Sequence, residues 1–390
     1  MRLLCHQNGI SGREAEPQKR REEGLPPWNP ADAVASPAMN TSRRQVLAGA
    51  AALALSGALP HPLAALRSDG ARPRTIVRPG RLRPGDTVGL VNPAGALWEP
   101  VNAEIAAESL AALGFKTKRG ANLLARRGYF AGTDEQRAAD LNALFADPEV
   151  RAIHCVRGGW GSARLLPLLD WPMIAKNPKI LLGYSDITAL LLALHAKTGL
   201  VTFHGPVGAS QWNPWSVGWM KRVLQEGEAV TFENLKEIDE DDLTVVENRV
   251  QTLHPGTARG RLLGGNLTVL TSLVGSGYLP DWDGCILFLE DVEEAPYRID
   301  RMLTQLRLAG ILKKARAVIW GNCTDCRPGA GFGSLTVSEV LEDHLRPLGV
   351  PAWQGAMIGH IDRQFTLPLG IEVEADATAG TIRMLAPAVV

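Results

Sequence analysis

Neither sign of charge is in excess in this chain of 390 residues: 41 Lys and Arg balance 41 Asp and Glu, a formal net charge of zero at pH 7. That balance removes the electrostatic argument for a nucleic-acid partner or an anionic membrane face. Cysteine is scarce as well. Cys5, Cys155, Cys285, Cys323 and Cys326 are too few and too scattered for a disulfide framework. Only Cys323-x-x-Cys326 has metal or redox spacing, and with no second pair it reads as ordinary or disulfide-linked thiols rather than zinc ligands. No metal or cofactor is expected. The apolar stretch from Val46 to about Leu59 is too short and too weakly apolar to span a membrane. No repeat of fixed period is visible. What is present, 45% hydrophobic and 21% charged residues, is the composition of a soluble globular protein long enough for two domains.

Residues 1–38 are rich in Arg, Glu and Pro and lack apolar periodicity, so they are expected to be disordered or an extension foreign to the native chain. Residues 39–66 read as an export signal. Arg43 and Arg44 precede the Ala- and Gly-rich apolar stretch, small residues and proline follow, and the paired arginines point to the twin-arginine route. Met39 is then the expected start, with cleavage near Ser56-Gly57-Ala58 or Ala64-Ala65. The expected location is periplasmic, or cytoplasmic if the leader does not function. No membrane association beyond export is expected.

From Pro79 onward turn residues alternate with apolar runs. "DTVGLVNPAG" reads as a first strand with its loop, and residues 100–113 as a helix stopped by Gly114. Thr133, with Gln136 behind it, begins a helix whose face is Leu141, Leu144 and Phe145. "VRAIHCV" is a buried strand that empties into the glycine loop "RGGWG". The alternation over 75–215 predicts a parallel sheet with crossover helices. Residues 216–249, with the acidic run "EIDEDD", read as a linker. In 250–390 short strands are broken by glycine pairs, which predicts a second, β-rich domain. Ligands of doubly wound sheets sit beyond the carboxyl ends of the strands, where both the Gly158-Gly159 loop and Ser185 fall.

Ser185 stands in "LLGYSDITALLLAL" after a tight turn at Gly183. The helix that begins near Asp186 offers free backbone N–H groups and a positive dipole end, which suit an oxyanion. The G-x-S-x-G elbow of the α/β-hydrolases is not matched, because Ile187 replaces its second glycine. Alone, the segment reads more readily as a helix cap than as a nucleophile. A serine nucleophile needs a base, and the base an orienting group. Glu290 ends the apolar run "CILFLED", where a carboxylate is costly unless paired or functional; Arg298 and Arg301 are possible partners. His360 follows Gly359 in "GAMIGHIDRQFTLPLG", and fits a surface loop as well as a site.

Taken together, "RGGWGSARLLPLLD", "LLGYSDITALLLAL", "TFHGP", "LLGGNLTVL", "LFLEDVEEAPYRIDRMLTQL" and "IGHIDRQFTLPLG" resemble the motif series of the LD-carboxypeptidases. These serine peptidases trim murein tetrapeptides, and their relatives include microcin C immunity proteins. The resemblance runs in order from about Leu82 to Leu385, with Trp160 where tyrosine is more usual and an exported leader unlike the cytoplasmic members. It implies Ser185 as nucleophile, Glu290 and His360 as its partners, and the backbone N–H groups of Asp186 and Gly159 as oxyanion donors. It also implies an α/β fold: a flavodoxin-like, parallel-sheet N-terminal domain, a smaller β-rich C-terminal domain, the active site between them, and a homodimer. The substrate would be a murein peptide ending in D-alanine. Arg157, Arg164 and Arg363 lie near the motifs as possible holders of its carboxylate, but each reads more readily as a structural or surface arginine, and none is assigned to the site. Two other hydrolytic or binding functions fit the same frame: an immunity-type hydrolase of a peptidyl-nucleotide, kept open by "QWNPWSVGW", and a non-catalytic peptide-binding protein. A redox protein built on Cys323 and Cys326 is a further alternative.

Overall fold

Buried runs of Val, Ile and Leu form most of the N-terminal strands: β1 (Thr87–Val91), β2 (Lys116–Arg119), β3 (Val150–Cys155), β4 (Ile180–Gly183) and β5 (Thr202–His204). The computed structural model describes residues 75–238, 243–329 and 333–390; the expected extension (1–38) and export signal (39–66) lie outside them. The strands pair in parallel in the order 2-1-3-4-5, the flavodoxin-like arrangement. The helix Asp134–Ala146 begins with a capping box between Thr133 and Gln136, and Leu141, Leu144 and Phe145 are buried beneath it. The helix Thr188–Thr198, directly after Ser185, is buried at every position from Thr188 to His195. A helix apolar all round needs cover on every side, and the C-terminal half supplies part of it.

That half contains β6 (Thr231–Phe232), β7 (Gln251–His254), β8 (Thr257–Asn266), β9 (Ile286–Val292), β10 (Ala317–Thr324), β11 (Ala352–Gln354), β12 (Leu367–Leu369), β13 (Glu372–Asp376) and β14 (Thr381–Met384). All but β12 join one sheet of eight strands, ordered 6-14-13-8-9-10-11-7. β8 belongs to both halves of this sheet: its first part pairs antiparallel with β13, its second part in parallel with β9.

β6 falls inside 216–249, so that stretch is partly a strand rather than a plain linker. β12 leaves its own half and pairs antiparallel with β5, Leu367 opposite His204. An edge strand with unpaired backbone groups invites such cover, and nothing in the short run "LPL" announces the partner.

The halves also meet where β8 packs on the helix after Ser185. Asn266 N–H donates to Thr188 Oγ1 at 3.0 Å. At Gly265, with φ +141°, an added Cβ would lie 2.6 Å from Thr188 Oγ1. Gly265→Ala is therefore expected to cost about 2 kcal/mol or more in urea unfolding, from backbone strain and overpacking together. Gly218, in the helix Pro214–Lys221, has no heavy atom near an added Cβ and no positive φ. Gly218→Ala should instead stabilise by about 0.5–1 kcal/mol, the helix-propensity difference.

Candidate active site

Ser185 follows β4 after one residue and has φ +63°, a left-handed conformation that it shares with only three other non-glycine residues among those described. Such a conformation costs on the order of 1–3 kcal/mol and persists only where the surroundings impose it. The β3 loop does so. An added Cβ at Gly158 would lie 3.0 Å from Ser185 Cβ, so only glycine lets the loop pass this close. Ser162, at the end of that loop, donates its N–H to Asp186 Oδ2 at 2.7 Å and its hydroxyl to the Asp186 carbonyl. Burial pushes the Asp186 carboxyl up, while the bonds from Ser162 and Gly161 oppose the shift. Ser185 makes no side-chain cap; the cap position before its short 3-10 turn is Tyr184.

Glu290 lies near the end of β9, beside Asn266 of β8, and is fully buried. The pairing of β10 with β9 slips in register between Trp320 and Cys323, across from this position. Neither arginine considered as its partner reaches it: Arg298 pairs with Glu294 at 3.6 Å, and Arg301 lies over Tyr297. Its Oε2 accepts instead from His360 Nδ1 at 2.8 Å, and His360 Nε2 is 3.0 Å from Ser185 Oγ. Gly359 permits this approach, since an added Cβ there would lie 2.7 Å from Glu290 Oε2. The structure thus brings Ser185, His360 and Glu290 into one hydrogen-bonded line.

The charge states follow from the surroundings. Burial would raise the Glu290 carboxyl, but His204 and His360 outweigh it and hold the group at about 2. An ionised carboxylate only accepts, so His360 Nδ1 carries the proton and Nε2 is left to accept from the Ser185 hydroxyl. For His360, burial works downward, yet the hydrogen bond and charge of Glu290, aided by Asp291 and Glu293, raise its pKa. Burial, and then the nearby Glu290, push Asp291 up to about 6; its oxygens accept from Asn266 Nδ2, Thr268 N–H and the Thr268 hydroxyl.

Several supports were not assigned from sequence. His204, within the motif "TFHGP", ends β5 with its Nε2 3.7 Å from Glu290 Oε1, too far for a formed hydrogen bond; both its ring nitrogens lack a hydrogen-bond partner. A histidine closing a buried strand beside Gly-Pro was the available signal. Thr324 donates its hydroxyl to the His360 carbonyl at 2.7 Å. Cys323 and Cys326, on either side of Thr324, form a disulfide. In the stretch "QWNPWSVGW", Trp212 packs edge-on against His154 at 5.6 Å between ring centres, and Trp215 and Trp219 pack half-buried against Phe365, at 5.3 and 5.4 Å. Of the arginines named, Arg164 pairs with Asp134 and Arg363 with Glu237, while Arg157 lines a cavity that also touches Gly159. The amide N–H groups of Asp186 and Gly159 have no hydrogen-bond partner among the described residues. Among those residues no three His, Cys, Asp or Glu side chains converge as a metal site.

Residues 88–205 match the model of the LD-carboxypeptidase N-terminal domain, and 259–375 that of the LD-carboxypeptidase C-terminal domain. A probable murein peptide carboxypeptidase of Bacillus subtilis (strain 168) is 39% identical over 309 residues, covering 78% of this chain and 93% of that protein. A murein tetrapeptide carboxypeptidase of Pseudomonas aeruginosa is 35% identical over 288 residues, covering 73% of this chain and 91% of that one. The solved structure of the microcin C7 self-immunity protein MccF in complex with aspartyl sulfamoyl adenosine has a TM-score of 0.72 at 28% identity, covering 80% of this chain and all of that one. With both domain models matched in order and relatives this similar along most of their length, the chain belongs to the LD-carboxypeptidase family.

Proposed function

We propose that the protein is a metal-independent serine carboxypeptidase that removes the terminal D-alanine of murein tetrapeptides, cutting its amide to the L-centre of a diamino acid. The observation that carries this reading is the line Ser185 Oγ, His360 Nε2, His360 Nδ1, Glu290 Oε2, with steps of 3.0 and 2.8 Å. His360 takes the Ser185 proton as Oγ bonds to the amide carbon. Glu290 orients the ring and stabilises the imidazolium. The amides of Asp186 and Gly159 receive the oxyanion, each worth on the order of a hundred-fold in rate or more. As the C–N bond breaks, His360 passes the proton to the departing amine. Water, deprotonated by the same ring, then releases the acyl group from Ser185.

The likeness to the immunity protein solved with aspartyl sulfamoyl adenosine favours a second reading, in which the same residues cut a peptidyl-nucleotide or another acyl amide. A purely binding role accounts for neither the strained serine nor its aligned histidine.

Incubation with a murein tetrapeptide should release free D-alanine, and Ser185→Ala should lower that release by about a thousand-fold or more. No release by the wild type, or equal release by the variant, would sink the assignment. The pH profile provides a separate check. His360 must be neutral to act as base, and its pKa is raised, so kcat/KM should climb with a midpoint above the ordinary histidine value of about 6.5. Glu290→Gln removes the charge responsible, and should move that midpoint to lower pH while reducing kcat.

We further propose export by the twin-arginine route, on the strength of Arg43 and Arg44 before the apolar stretch. With both replaced by lysine, fractionation should find uncleaved precursor in the cytoplasm; continued export would count against the route.

A further inference from the structure

The first and third strands of a 2-1-3-4-5 sheet diverge at its switch point, and the loops that leave them enclose a crevice suited to a ligand. Here the loops after β1 and β3 are stitched by Gly95 N–H donating to the Gly158 carbonyl at 3.0 Å. Beside that bond lies a cavity of about 420 Å³, walled by Trp98, Tyr129 and Trp160 and carrying Arg126 and Arg157. The three aromatic side chains are 67, 62 and 56% exposed. Large rings left in water around one concave surface, next to a nucleophile, are unusual for a surface with no ligand.

The arginines single out the ligand's chemistry. Arg164 and Arg363 are neutralised by Asp134 and Glu237. Arg126 and Arg157 have no carboxylate partner among the described residues. Arg157 donates Nη1 to the Ala96 carbonyl and Arg126 donates Nε to Gly128, and each guanidinium lies 5.5 Å from the Trp98 ring centre. Stacking on one indole holds both groups in place while leaving other N–H donors free. A pair of oriented, unpaired guanidiniums fits a carboxylate, which such groups bind in a bidentate manner.

Reach decides which carboxylate. A terminal carboxylate lies one residue beyond the scissile bond, about 4 Å away at full extension, so its holder must adjoin the nucleophile. Arg157 belongs to the loop that does: Gly158, the next residue, packs on Ser185, and Arg157 Nε is 3.9 Å from where a Cβ on Gly159 would sit. We propose that this switch-point cavity is the leaving-group subsite: Arg157, with Arg126, holds the carboxylate of the terminal D-alanine, and the apolar wall accommodates its methyl group.

This rests on the carboxypeptidase reading, and the test separates the two. Tetrapeptide with a free terminal carboxylate, its C-terminal amide, and a tetrapeptide amidated instead on the upstream glutamate would be compared by kcat/KM. The wild type should prefer the free terminus over its amide by roughly ten- to a hundred-fold, the weight of a charged hydrogen bond. In Arg157→Gln that ratio should fall toward one, with a smaller fall in Arg126→Gln. The ratio is read within each variant, so partial loss of folded protein does not disturb it. An unchanged ratio in both variants, with D-alanine still released, overturns the subsite and leaves the carboxypeptidase intact. A penalty tracking the glutamate amide instead assigns the arginines to the acyl side and also overturns it. Absence of any D-alanine release by the wild type ends both.

Discussion

A carboxylate with no solvent exposure governs this structure. Glu290 follows the buried apolar run Ile286–Leu289, where an ionised group is destabilising by several kcal/mol unless charge and hydrogen bonds are delivered to it. Its own half of the molecule supplies one donor, His360; the other imidazole nearby, His204, ends a strand of the N-terminal sheet. Keeping Glu290 charged therefore ties the docking of the halves to the geometry of the site. Asp291, the next residue along, extends the arrangement by anchoring Asn266 and Thr268 at the point where β8 turns into its helix.

His360 is restrained on both flanks for the same end. Before it, β10 brings Thr324 to its carbonyl, with the Cys323–Cys326 disulfide at that strand end. After it, Asn213 and Ser216 donate to the Asp362 carbonyl, Gln364 N–H donates to Ser216, and β12 crosses to β5. Ser185 receives equivalent support from the glycine loop, which touches its Cβ and binds Asp186 through Ser162. Strain at one residue is affordable because the contacts imposing it are numerous and buried. The result is a hydroxyl and an imidazole facing each other, with Arg126 and Arg157 in the cavity beside Gly159 and a more acidic cavity, lined by Glu237, Glu247 and Asp362, beside His360.

Much of this was legible in the chain. The capping box at Thr133, the strand "VRAIHCV" and the order of alternating elements are local signals, set by periods and end residues within one element. The motif order pointed to Ser185, Glu290 and His360 because each stands at a chemically marked strand end or glycine. Three features stayed hidden: the return of β12 to the other sheet, β6 inside the apparent linker, and His204 beside the carboxylate. His204 was marked only by its place before Gly-Pro, and the two strands have no local signature. Each depends on which distant edge or cavity the segment meets, and a short strand such as "LPL" is compatible with many partners.

What the sequence by itself determined is the set of parts: a doubly wound half, a β-rich half, a serine on a turn, a carboxylate at a strand end and a histidine beside a glycine. Tertiary structure alone decided which of those parts meet. It separated Arg157 from Arg164 and Arg363 by giving the latter two acidic partners, packed Trp215 and Trp219 against Phe365, and set the left-handed turn of Ser185. The reason is physical. Propensity and periodicity act over a few residues, whereas charge pairing, burial and close approach act between segments up to 175 residues apart, as from Ser185 to His360.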